Sequence, residues 1–147
     1  MNAPAASPAA PADLWLAELT EAAGDIVTTL LGDCDGACLG TSAVLAYVLA
    51  DHGVSTDAVR GTYRGQAHWW LETGTHRLDP TRRQFDERPA VSAVDHDEDL
   101  YLPASRSLAR WTREQAVTEF ARMFVMPLVG ARQGRALLSE LAALSSP

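Results

Sequence analysis

The sequence predicts an α+β domain in which N-terminal helices pack on a small antiparallel sheet and further helices follow at the C-terminus. Three observations predict it. Apolar residues recur at spacings of three and four from Asp13 to Leu31, and an almost wholly apolar run follows from Gly36 to His52. Apolar and polar residues then alternate over Asp57 to Arg64, and a β-prone stretch resumes at His68 and returns through Leu78 after a turn. Helical spacing reappears over Thr112 to Met126 and over Gly130 to Leu144.

Met1 to Ala12 is almost entirely Ala and Pro, a composition that cannot build a core, so residues 1–12 are expected to be a disordered leader and 13–147 a single domain. The first helix carries Leu14, Trp15, Leu16, Leu19, Ala22, Ile26, Val27, Leu30 and Leu31 on one side, with Gly24-Asp25 as the place where it could break. Gly32-Asp33-Cys34-Asp35-Gly36 forms a tight loop leading into the second helix.

Asp35 is a suitable N-cap and Gly53 a suitable C′ residue, which places Cys38 in the first turn of a mostly buried helix. Unpaired N–H groups and the positive end of the helix dipole favour a thiolate there. The same N–H groups can hold a developing oxyanion. An inert small core residue is the other reading of a cysteine on an apolar helix.

In the His68–Trp69–Trp70–Leu71–Glu72 strand, a two-residue turn at Thr73-Gly74 pairs Leu71 with His76, Trp70 with Arg77, Trp69 with Leu78 and His68 with Asp79. That register puts the imidazole and the carboxylate on one face, about 4.5–5.5 Å apart at Cβ. A loop of odd length sends them to opposite faces. Cys38 as nucleophile, His68 as base and acid, and Asp79 as the group orienting His68 then form a catalytic set. A core histidine and an ordinary Asp-Pro turn are the alternatives. Trp70 shares the face of His68 and walls the site from water; Gln66 is a candidate oxyanion donor or amide contact. With Cys34 in the adjoining loop, these two are the candidate substrate-facing residues.

These motifs resemble one family. Gly-x-Cys with Ser42 four residues on, an Ala/Leu/Val helix, Val59-Arg60-Gly61, His68-Trp69-Trp70-Leu71-Glu72 and Asp79-Pro80-Thr81 look like the transglutaminase-like superfamily of papain-related folds. The resemblance spans about residues 30–86. It implies the same three residues in the same roles, and a peptidase, amidase or amide-forming enzyme, with peptide or natural-product maturation as one setting. A non-catalytic binding module on the same fold is the alternative. The acidic calcium loops of large animal transglutaminases are missing, and neither cofactor nor metal is expected. A zinc set of Cys34, Cys38, His68 and His76 fits ligand chemistry but lacks the usual close-set second pair.

Composition bounds the partners. A chain of 147 residues that is 47% hydrophobic can build one real core. A net charge of −7 argues against a general nucleic-acid binder and suits basic peptides or amines. Peptide, amine or carrier-bound acyl substrates are therefore the expected partners. No run approaches a membrane span, and the N-terminus lacks the charged and apolar regions of a secretory signal, so a cytoplasmic location is expected. Arg82, Arg83 and Arg88 form a basic patch, solvated or holding an acidic substrate group; the acidic run Asp95 to Asp99 has the same two readings with the signs reversed. Thr112 with Gln115 is a capping box for the next helix, which Pro127 and Gly130 should end. The last helix covers the sheet, or offers a homodimer face if its apolar side exceeds what the core can bury.

Overall fold

The computed structural model describes residues 11–32, 36–95 and 99–144, so the Ala/Pro leader up to residue 10, Cys34 with its loop, and the middle of the acidic run lie outside the described residues. The architecture is mixed α+β. Helices α1 (Pro11–Leu31) and α2 (Cys38–Asp51) precede strands β1 (Asp57–Tyr63), β2 (Gln66–Glu72), β3 (His76–Leu78), β4 (Val91–Ala93) and β5 (Tyr101–Leu108). Helices α3 (Arg113–Ala121) and α4 (Pro127–Ala143) close the chain. The sheet is antiparallel throughout, in the order β4-β3-β2-β1-β5. No described helix is long and apolar enough to cross a membrane.

Period-two alternation gives the sheet two cores. Ala58, Leu71 and Leu78 face the helices and join Leu19, Val27, Val44, Leu45, Leu49, Phe120 and Leu137 in the main core. Val59, Tyr63, Trp70 and Tyr101 form a second cluster on the other face, with Phe85 and Leu100 packed against it. Trp69 and Trp70 divide between these two layers as the alternation requires. Almost every side chain of α2 from Gly40 to Leu49 is buried, which fits its lack of a polar face.

Several expectations need correction. Helix α1 runs unbroken through Gly24, because that glycine serves packing: an added Cβ would lie 2.3 Å from the carbonyl oxygen of Pro80. The capping box at Thr112 is present, with both of its hydrogen bonds, but α3 stops at Ala121. Pro127 begins α4 instead of ending α3, since proline's missing N–H costs nothing in the first turn. Gly130 sits inside α4.

A further correction concerns the hairpin. Leu71 pairs with Leu78 and Glu72 with Arg77, a shift of two residues from the expected register. The cause is Thr73: its N–H bonds the carbonyl of His76 at 2.8 Å and its hydroxyl accepts from the His76 N–H at 2.9 Å, which moves the turn onto Gly74-Thr75. An even shift preserves facing. His68 and Asp79 therefore stay on one side of the sheet, as diagonal neighbours and not as direct partners.

Candidate active site

Each of the three expected residues is set by a different local device. Cys38 is the first residue of α2, after Ala37, whose carbonyl accepts the Thr41 N–H at 3.0 Å. It thus stands at N1, two positions nearer the helix end than the Asp35 cap implied, and Asp35 lies outside the described residues. His68 lies in β2 opposite Gly61. Asp79 follows β3 directly, and its N–H donates to the carbonyl of Ala90 at 2.8 Å.

Sequence distance vanishes in the side chains. His68 Nε2 lies 2.9 Å from each carboxylate oxygen of Asp79, with both side chains fully buried. That contact leaves Nδ1 as the ring atom for the sulfur. Nδ1 is buried and makes no hydrogen bond, and the imidazole and the thiol of half-buried Cys38 lie close enough for each to shift the other's pKa. Burial alone would lower the His68 pKa, but Asp79 and Cys38 together raise it to about 9. For Cys38, burial works against ionisation, yet His68 and the N–H groups of Trp69 and Leu39 outweigh it and hold the thiol below its ordinary value. Both shifts favour the charged forms, thiolate and imidazolium.

The Trp69 N–H is free for the sulfur because β3 is only three residues long and pairs with β2 at Leu71 and Glu72 alone. Among the described residues no strand pairs with β2 before Leu71 on that side, and α2 packs against β2.

Aromatic rings enclose the imidazole. Phe85 meets it edge-on at 4.9 Å and Trp70 stacks at 6.0 Å, while Trp70 Nε1 donates to Glu72 at 2.8 Å. Trp70 is wholly buried. Gln66 is exposed at the start of β2, opposite Tyr63. Cys34, the third substrate-facing candidate, lies outside the described residues. Of the basic patch, Arg82 is buried against Asp86 and the Tyr63 hydroxyl, and Arg83 pairs with Glu21 and Asp25 of α1.

Two residues in the site had no sequence signal. Tyr101 donates its hydroxyl to Asp79 Oδ2 at 2.8 Å; burial and the neighbouring carboxylate push its pKa far above the phenol range, so it stays a donor. Gln84 accepts the Gly36 N–H at 3.4 Å and donates to Thr81 at 3.0 Å, tying the segment before Cys38 to the one after Asp79.

The thiol–imidazole pair fixes how stability responds to pH. In the unfolded chain imidazole titrates near pH 6.5 and thiol near about 8.5. His68, raised to about 9, then adds stability that is present below pH ~6.5 and lost as pH rises, while Cys38, held below its ordinary value, adds stability that is present above pH ~8.5 and lost as pH falls, so the two trends oppose each other. In Cys38→Ala only the imidazole remains. Asp79 still raises its pKa, so the stability it adds is present below pH ~6.5 and lost as pH rises, with no thiolate to offset the loss. Urea midpoints across pH ~6.5–8.5 should therefore fall more steeply for Cys38→Ala than for wild type; parallel curves would rule out the ion pair. The chain matches no protein-family model, no curated protein and no solved structure.

Proposed function

We propose that this chain is a cysteine-dependent hydrolase or acyltransferase of the transglutaminase-like kind that its motifs resemble, acting on an amide or thioester carbonyl. The observation supporting this reading is the buried Asp79–His68 hydrogen bond beside a thiol at the first residue of a helix, with thiol and imidazole each shifting the other's pKa. The Cys38 thiolate attacks the carbonyl carbon, and the charge moves to the carbonyl oxygen, where first-turn N–H groups of α2 are the available donors. His68 passes its proton to the departing amine or thiol as the bond to carbon breaks, leaving the acyl group on sulfur. Water or an amine then attacks this thioester, His68 takes its proton, and Cys38 leaves as thiolate. Asp79 keeps the imidazole aimed throughout.

Two measurements test the reading together. Iodoacetamide labelling of Cys38, followed peptide by peptide against pH, should show a midpoint well below the pH ~8.5 of a free thiol. A panel of peptides and acyl thioesters should show turnover that Cys38→Ala abolishes. Sluggish labelling with an ordinary midpoint, and no turnover, would assign the chain to the binding-module class instead.

A further inference from the structure

The carboxylate that aims His68 is itself held from a second side. Both oxygens of Asp79 face His68 Nε2, and a carboxylate fixed only by that contact can still swing about its Cβ–Cγ bond. Tyr101 removes the freedom: its hydroxyl donates to Oδ2 at 2.8 Å from the first residue of β5, across β1 and β2 from Asp79. The phenol is in turn clamped. Trp70 meets its ring edge-on at 5.0 Å, Tyr63 lies at 4.7 Å, and the Arg77 guanidinium sits 4.0 Å above it. Arg82 approaches the same ring at 5.4 Å. The ring is 2% exposed, so water cannot take over the hydroxyl's role.

We infer that Tyr101 is a positioning residue, whose hydroxyl locks the Asp79 carboxylate so that His68 presents Nδ1 to the Cys38 sulfur. This rests on the nucleophile reading above and deepens it. The acid, the base and the sulfur come from the end of β3, from β2 and from α2; Tyr101 makes β5 a fourth contributor. The charged and titratable groups against the phenol include Asp79 after β3, Tyr63 in β1, Arg77 in β3 and Arg82 in the short 3₁₀ helix Arg82–Gln84, with His68 behind Asp79 and Tyr63. Tyr101→Phe leaves all of them in place and keeps the ring under both guanidinium groups. Only the donor is lost.

The test uses iodoacetamide as probe, reads labelling of Cys38 by peptide mass spectrometry from pH 5 to 10, and compares wild type, Tyr101→Phe, Asp79→Asn and the double variant. A carboxylate free to swing orients the imidazolium less well, so the thiolate loses part of its partner. Tyr101→Phe should move the Cys38 midpoint up by about half a pH unit, which is about a three-fold loss of thiolate below the midpoint. The hydroxyl acts through Asp79, so Tyr101→Phe should add nothing in the Asp79→Asn background. Val117→Ala, a truncation of a buried α3 residue that lies against Gly134 of α4, should lower the melting temperature without moving the midpoint.

An unchanged midpoint in Tyr101→Phe, with wild type still labelling at low pH, overturns the inference and leaves the nucleophile reading standing. A further shift in the double variant overturns it too, because the hydroxyl would then act by another route. A wild-type midpoint already at the free-thiol value, unmoved by Asp79→Asn, brings both down.

Discussion

His68→Gln should return Cys38 to the reactivity of a buried, unassisted thiol and reduce turnover by about 10²- to 10⁴-fold. Glutamine retains an amide N–H for Asp79, so the buried carboxylate is not stranded, but it cannot titrate. The change therefore separates proton transfer from packing. For the sulfur, the opposing influences lose their largest member: burial continues to disfavour the thiolate, while only the Trp69 and Leu39 N–H groups still favour it. The labelling midpoint should rise to pH ~8.5 or above. A variant that folds, as judged by circular dichroism, yet labels like wild type would show that His68 does not activate the thiol.

Phe120→Ala should cost about 3–5 kcal/mol and lower the melting temperature by about 10 °C or more. The ring is fully buried, contacts Phe124 at 5.7 Å and packs against Gly134 of α4, so its loss opens a cavity between three helices. The position also matters to the site. A Cβ on Gly40, two residues after Cys38, would lie 2.7 Å from the Phe120 Cα, so α2 and α3 touch at backbone distance just behind the sulfur. Thermal unfolding gives the stability, and Cys38 labelling at low pH reports whether the helix start stays in register. A loss below about 1 kcal/mol would mean that the helices collapse onto the gap.

The parts of this arrangement that were legible in sequence are those governed by local chemistry. The apolar run of α2 and the cysteine at its start follow from composition and from the glycines on either side. That His68 and Asp79 share a face follows from parity alone, and so survives a two-residue error in register that came from reading Thr73 as a turn centre when its hydroxyl braces the turn from outside. Strand β4 has three residues, too few for any period to show. Pro127 reads equally as a stop and as a start, and only the helix that follows decides. Tyr101 was illegible because its meaning depends on β5 lying beside β1, a long-range pairing that no spacing along the chain encodes.

The brevity of β3 sets a limit on how this chain can change. Sheet growth and the proposed nucleophile compete for one amide, that of Trp69, and a hairpin lengthened by an extra ladder rung would claim it. Such a variant would gain regular hydrogen bonds and become a better sheet protein while evicting the start of α2 from the seat it now holds. Stabilising this fold by completing its strands would therefore be expected to switch off the sulfur.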